Sequence, residues 1–144
     1  MRRALRFEAT YPHSPERVWR ALTSPAELAE WLMDNDFEPR VGHKFYFRTM
    51  PRIGFDGIIP CEVLEVDEPK LLSFSWGTKE SVVRLTLEPT PGGTRLVLQH
   101  EGFHGLRGFA MHRVLGRGWK SKIQLRLPAM LSRMSRAGHR KAEP

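Results

Sequence analysis

The chemistry open to this chain centres on its histidines, and His100 has the most informative setting. It continues the alternation of Leu96 and Leu98, so we expect it on the inner face of a strand rather than in water. A histidine there could bind a ligand carbonyl or phenol, or move a proton near neutral pH. The alternative, which we favour, is a core histidine hydrogen-bonded to a backbone carbonyl.

Other reactive side chains give weaker patterns. The histidines are scattered along the chain, at His13, His43, His100, His104, His112 and His139. His100 and His104 are four residues apart, but across a strand-to-loop junction rather than on one helix, so the pair is a poor metal site. Phosphate-binding glycine loops, serine nucleophile elbows and catalytic Cys/His settings are not found in the sequence. We therefore predict no metal or cofactor and assign no catalytic residue.

Three further side chains are weighed for a chemical role: Cys61, Glu62 and Arg48. Cys61 is interpreted as a small buried residue rather than a reactive thiol. Glu62 and Arg48 are weaker candidates, because a bend in its strand leaves the facing of Glu62 open and the alternation turns Arg48 outward.

Composition bounds the class of protein. The chain has 144 residues, of which 40% are hydrophobic, so we expect one domain over residues 1–136, with a frayed basic tail at 137–144. Its apolar runs fall short of the ~18 residues of a membrane span, and the start lacks the apolar segment of a secretory signal. A single cysteine fits a reducing compartment. The expected location is therefore the cytoplasm, with no membrane insertion.

The net charge of +7 is unevenly distributed. Residues 1–102 carry 13 Lys/Arg against 15 Asp/Glu, whereas residues 103–144 carry 10 Lys/Arg against Glu143 alone. Such a segment could bind an acidic protein partner, acidic lipid or nucleic acid. The interpretation we favour is a solvated helix face followed by a basic tail, and no nucleic-acid fold signature or stacking aromatic pair accompanies the charges.

The element on which the fold depends is a C-terminal helix over residues 118–134. Its apolar residues recur at spacings of three and four and share one flank: Trp119, Ile123, Leu127, Met130, Leu131 and Met134. Pro128 falls roughly opposite that flank, so we expect it to kink the helix without breaking its packing face. A helix this amphipathic needs a surface that buries its stripe.

The preceding residues supply that surface. Ala4–Thr10 alternates as a strand, and two Ser-Pro pairs, Ser14-Pro15 and Ser24-Pro25, start two short helices. A turn is predicted at Asp34–Asp36. Further strands are predicted at His43–Thr49, Phe55–Asp67 (with a bend or bulge near Gly57 and Pro60), Leu71–Trp76, Ser81–Glu88 and Thr94–Glu101.

Several phrases, in this order, make the chain resemble a known family. They are SPERVWRALTSPAELAEW at 14–31, CEVLEVDEPKLLSFSW at 61–76, LTLEPTPGGTRLVLQHEGF at 85–103, and Gly118-Trp119. The chain resembles the family named for homology to the activator of Hsp90 ATPase, within the START/Bet v 1-like (SRPBCC) helix-grip superfamily. The resemblance implies an α+β fold, in which a curved antiparallel sheet wraps around the C-terminal helix and encloses a hydrophobic cavity.

Members of that superfamily include ligand carriers, cyclases and co-chaperone domains, so function has to be argued from residues. We expect an inward, mainly apolar lining made of Trp19, Phe45, Phe47, Phe74, Trp76, Leu85, Leu98, His100, Trp119, Ile123 and Leu127. The first hypothesis is non-enzymatic binding of a small hydrophobic or aromatic molecule there. The alternatives are a cyclase- or hydrolase-type enzyme using the same cavity, and a chaperone-linked protein-interaction module.

Overall fold

The computed structural model describes residues 3–51, 53, 56–103 and 118–133, with only the backbone of Arg3 and Phe103. Its seven strands are β1 (Arg3–Tyr11), β2 (Asp34–Asn35), β3 (Lys44–Arg48), β4 (Ile58–Asp67), β5 (Leu71–Trp76), β6 (Thr78–Thr90) and β7 (Gly93–Phe103). Its helices are α1 (Pro15–Thr23), α2 (Pro25–Trp31) and α3 (residues 118–133), and α3 contains a π-helical turn at Lys122–Arg126.

The strands form one curved antiparallel sheet in the order β1-β7-β6-β5-β4-β3-β2. Side chains alternate across it as predicted: Phe45 and Phe47 of β3 are buried, whereas Tyr46 and Arg48 between and beyond them are exposed. The inner face wraps α3, whose Trp119, Ile123, Leu127, Met130 and Leu131 are all buried. The predicted helix-grip fold is confirmed; Met134 lies outside the described residues.

The two short helices begin where the Ser-Pro pairs predict. The hydroxyl of Ser14 accepts the backbone N–H of Arg17 at 3.2 Å, and that of Ser24 accepts the N–H of Glu27 at 3.4 Å. Arg17 then donates to the Glu27 carboxylate at 2.7 Å. Because Glu27 is buried, this ion pair is a contact between α1 and α2 and not a solvent-exposed surface pair.

Two local predictions were wrong. Asp34 and Asn35, predicted within a turn, instead pair with Arg48 and Phe47 as the edge strand β2. The Asn35 side chain donates to the carbonyl oxygen of Met33 at 3.0 Å, and the carboxylate of the next residue, Asp36, accepts the Tyr46 backbone N–H at 2.7 Å. These bonds hold the segment extended against β3.

The long fourth strand also differs from its prediction. It begins at Ile58, and its register shift falls between Val63 and Glu65 rather than near Pro60. Gly57 has a φ of 82°, and a Cβ there would lie 2.3 Å from the Thr49 carbonyl oxygen. Only glycine fits this close approach, so the hairpin closes at Gly57 and the strand starts after it. Phe55 lies outside the described residues.

The helix α3 departs from α-helical geometry one turn before Pro128. The N–H of Leu127 bonds to the carbonyl of Lys122, five residues back, so the helix widens into a π turn. In that register the carbonyl of Ile123 would receive the N–H of residue 128, which proline lacks. The buried hydroxyl of Tyr11 donates to this carbonyl oxygen at 2.6 Å, so β1 supplies the bond that the helix cannot.

Within residues 3–51, 53, 56–103 and 118–133, no helix is long and apolar enough to cross a bilayer.

Candidate ligand-binding site

His100 is fully buried between β6 and α3, and both nitrogens of its ring have partners. The indole N–H of Trp119 donates to Nδ1 at 3.0 Å, and Nε2 lies 2.8 Å from the Ser81 hydroxyl. Gly102 makes this approach of β7 to β6 feasible: its φ is +100°, and a Cβ there would lie 2.0 Å from the Glu80 carbonyl oxygen. The inward orientation predicted for His100 is confirmed.

The indole partner fixes the tautomer of His100. An indole N–H can only donate, so Nδ1 must accept, and the proton of the neutral ring must lie on Nε2. Nε2–H therefore donates to the Ser81 oxygen. Burial lowers the pKa of His100 from its ordinary 6.5 to about 4, because the charged ring would lose its water. The ring is thus neutral at physiological pH.

This tautomer decides what the Ser81–His100 pair can do. A base that activates a serine must accept the hydroxyl proton, but here Nε2 already carries one. His100 is therefore set up to hold Ser81 and Trp119 in place rather than to remove a proton. The expected core histidine is confirmed, and the partners of its ring include the Ser81 hydroxyl and the Trp119 indole.

Aromatic rings continue from His100 toward β3. The ring centroids of Trp76 and Trp119 are 5.2 Å apart, and Trp76 lies 5.3 Å from Phe47. Phe45 contacts Phe47 edge-on at 5.2 Å. Such tilted and edge-on contacts suit the charge distribution of the rings and give the interior a rigid aromatic wall.

A cleft opens at one end of this wall. It is lined by the end of α2, the end of β5 and the start of α3, through Leu32, Met33, Trp76, Gly118, Trp119 and Lys122. Its volume is about 30 Å³. That is room for about two water molecules, whereas pockets for drug-sized ligands measure roughly 300–1,000 Å³. A larger guest needs the flexible side chains at the mouth to move.

The predicted lining residues are all buried, but they do not all meet in one place. The structure brings Trp76, His100 and Trp119 together, and the first and last of these border the cleft. The remaining eight fill the core behind it: Trp19, Phe45, Phe47, Phe74, Leu85, Leu98, Ile123 and Leu127. Their contact with a ligand stays a prediction.

The arrangement of a curved sheet, a gripping helix and an apolar interior has counterparts among known proteins. The model of one family, described as Activator of Hsp90 ATPase homolog 1-like protein (AHSA1), matches residues 12–131. The chain belongs to this family. A search of curated proteins gives no match.

Three solved structures share the fold of this chain over nearly their whole length. Protein MLL2253 from Mesorhizobium loti is 37% identical with a TM-score of 0.81, over 91% of this chain and 98% of its own. Protein BH1534 from Bacillus halodurans is 28% identical with a TM-score of 0.78, over 90% and 96%. Protein SA2116 from Staphylococcus aureus, 15% identical with a TM-score of 0.79 over 94% and 97%, shows the fold alone.

Among the residues that the structure describes, Lys122 is the one charged side chain that lines the cleft of this AHSA1-like chain. Lys122 is half-buried there, and burial, followed by repulsion from Arg126, lowers the pKa of its ammonium group. The group lies beside Gly118, with Nζ 3.7 Å from the place that a Cβ of that glycine would occupy. The described part of the cleft therefore combines apolar walls with the Lys122 cation.

Cys61 is buried in β4, as predicted. Burial raises the pKa of its thiol to about 12, so almost no thiolate forms at neutral pH and the group is chemically unreactive. Of the two weaker candidates, Arg48 is exposed, and Glu62 is partly buried, with its backbone N–H donating to the Ser75 hydroxyl at 2.9 Å.

The prediction that His100 and His104 make a poor metal site stays untested, because only His100 lies among the described residues. Among residues 3–51, 53, 56–103 and 118–133, no group of three or more metal-ligating side chains comes together. His104 lies outside those residues.

Sequence reasoning missed Met33, Lys122 and Ser81 as neighbours of the candidate site. Lys122 is the one with a readable signal: it follows Trp119 by three residues and Gly118 by four, which puts it beside the apolar stripe. Met33 follows the end of α2, and Ser81 reaches His100 from the adjacent strand. Their positions depend on packing and register that a linear pattern does not contain.

Proposed function

We propose that this protein binds a small hydrophobic or aromatic molecule between the sheet and α3. The molecule enters at the cleft. The observation that supports this most is the pair of indole rings, Trp76 and Trp119, that border an apolar opening into the core. Aromatic side chains offer large apolar area without much loss of conformational freedom on binding. The family's curved-sheet scaffold is compatible with this role.

Room for the guest would come from the side chains at the mouth. Met33 and Lys122 are unbranched, and both are only partly buried. Turning them outward breaks no hydrogen bond or ion pair of theirs within the described residues. Each Å² of apolar ligand surface that then leaves water contributes roughly 25 cal/mol. A ligand of modest size would therefore bind mainly through apolar burial.

The test is a titration of delipidated protein with hydrophobic ligands, such as fatty acids, sterols, flavonoids and aromatic polyketides. A ligand that binds only the folded state at 100 times its Kd adds about 2.7 kcal/mol to the free energy of unfolding, which raises Tm by several degrees. Tryptophan fluorescence should change along with it, because two of the four indoles border the cleft.

A matched pair of variants locates the site. Met33→Trp fills the mouth and should abolish the rise in Tm, whereas Met50→Trp makes the same change at a residue that is 76% exposed and should preserve it. A well-folded wild-type protein that gives no rise with any ligand would contradict the proposal. Equal effects of the two variants would place binding elsewhere.

A second candidate function, a protein-interaction module, is favoured by the hairpin between β3 and β4. Ile53 is fully exposed there, Met50 is 76% exposed and Ile58 is 44% exposed. Neighbouring exposed apolar side chains are typical of contact sites. The outer face of β1, β7 and β6 is by contrast polar, with Arg95 bonded to Glu8 at 2.6 Å and to Glu88 at 3.3 Å.

If the hairpin binds a chaperone, removing its apolar groups should weaken that contact. The family description suggests purified Hsp90 as the partner to test. We expect Met50→Ser/Ile53→Ser to raise Kd about tenfold or more, as truncation of central interface residues does. Val41→Ser is the control, since Val41 is also exposed but precedes the other end of β3. Unchanged binding in the double variant would contradict the hairpin as the contact.

A further inference from the structure

Among the described residues that line the cleft, Lys122 is the one whose place an apolar pocket does not explain. It lies in the first turns of α3, next to Trp119 and across from Trp76, where a hydrophobic side chain would fill the same space. The bare backbone of Gly118 leaves room for its ammonium, with Nζ 3.7 Å from where a Cβ would stand. Lys120, two residues earlier on the same helix, is exposed in the ordinary way.

No carboxylate within residues 3–51, 53, 56–103 and 118–133 lies within 4.0 Å of this ammonium. Glu30 of α2 is engaged by other cations of α3: its carboxylate by Arg133 at 3.6 Å and its backbone carbonyl by Arg126 at 3.3 Å. Arg126 stands one turn from Lys122 and repels it. A half-desolvated cation in this position gains most from an added anion.

We propose, on the premise that the cleft binds a ligand as argued above, that Lys122 selects hydrophobic molecules bearing a carboxylate. The ligand's apolar part lies against Trp76 and Trp119 inside the cleft, and its carboxylate accepts hydrogen bonds from the Lys122 ammonium at the mouth. Charge-assisted bonds of this kind are about twice as strong as neutral ones, so they discriminate an acid from its uncharged analogue. The substrate class is then a hydrophobic carboxylic acid rather than a neutral sterol or hydrocarbon.

The experiment compares ligands that differ only in that group. Decanoate is paired with decanol, and 1-naphthoate with 1-naphthylmethanol, with Kd measured by calorimetry at pH 7 and low salt. The variants are Lys122→Met, which keeps the unbranched apolar stem, and Lys120→Met, which removes an exposed charge from the same helix. Thermal unfolding of each variant confirms that it is folded.

We expect the wild-type protein to bind the acid of each pair more tightly than the alcohol. Lys122→Met should raise the Kd of the acid about tenfold or more, as loss of a charge-assisted bond does, and leave that of the alcohol within about twofold. Lys120→Met should change neither. Added salt should weaken the acid alone, by screening.

Two results would overturn the inference while leaving the proposed function intact: equal affinity of acid and alcohol for the wild-type protein, or equal loss of both in Lys122→Met, which would assign the lysine a packing role. Failure of the proposed function looks different. In that case neither member of either pair binds the wild-type protein, and the inference falls with it.

Discussion

Between pH 6.5 and pH 4 the folded protein should lose about 3 kcal/mol of unfolding free energy through His100 alone. The unfolded chain takes up a proton on this histidine near its ordinary pKa of 6.5, whereas in the folded chain burial holds the pKa at about 4. Within that window the unfolded state binds more protons than the native state, so acid favours unfolding. Above pH 6.5 both states are neutral at this residue, and below pH 4 both are charged.

The physical cause is specific to this site. A protonated His100 would point a second N–H at the indole N–H of Trp119, so charging the ring loses a hydrogen bond as well as water. The variant His100→Gln cannot titrate but keeps one donor and one acceptor. Chemical denaturation of both proteins across this pH range isolates the effect, because every other titrating group is shared.

We expect the stability of the wild-type protein to fall with a slope steeper by about 1.4 kcal/mol per pH unit than that of His100→Gln inside the window. Parallel slopes would mean that His100 titrates normally and that its Nδ1 does not accept the indole N–H. The wild-type protein alone offers a second readout: the NMR shifts of the His100 ring should stay constant from pH 8 to pH 5.

His100 shows which part of the site could be predicted from the sequence. Its alternation with Leu96 and Leu98 predicted an inward side chain, because strand geometry leaves only two faces. The same alternation could not predict Ser81 and Trp119 as its partners, since their positions depend on the strand register and the rotation of α3, which are set by packing. The short strand β2 escaped prediction for a related reason: two residues carry no period, and only the edge of β3 makes them a strand.

Lys122 marks the same limit at the candidate site. The helical period separates an apolar stripe from a charged remainder, and a lysine at the border is assigned to solvent by default. Which residue at the edge of the stripe lies in a cleft depends on the positions of Trp76 at the end of β5 and of Met33 after α2. Periodicity therefore predicted the walls of the interior, and the tertiary fold alone placed the charge.

Removing the Tyr11 hydroxyl should destabilise the protein by about 1–3 kcal/mol, the cost of leaving a buried carbonyl unsatisfied. Tyr11→Phe keeps the ring, which is buried, and deletes only the group that donates to the Ile123 carbonyl oxygen at 2.6 Å. Water cannot replace it without access to the core. Equilibrium denaturation measures the change, and a loss below about 0.5 kcal/mol would argue that this bond is dispensable.

Pro128 provides the decisive second half of that experiment. If the proline is the reason that Ile123 lacks a backbone donor, Pro128→Ala returns one. The introduced alanine can donate to Ile123 within the π turn, or the helix can revert to α geometry, in which the N–H of Leu127 takes the same carbonyl. Either way, Tyr11→Phe should cost at least about 1 kcal/mol less in the Pro128→Ala background than in the wild type.

Equal costs of Tyr11→Phe in the two backgrounds would show that the tyrosine bond does not depend on the proline, and the π turn would then need another cause. A clear coupling would show that one proline in a helix and one hydroxyl on the first strand together fix how α3 is held against the sheet.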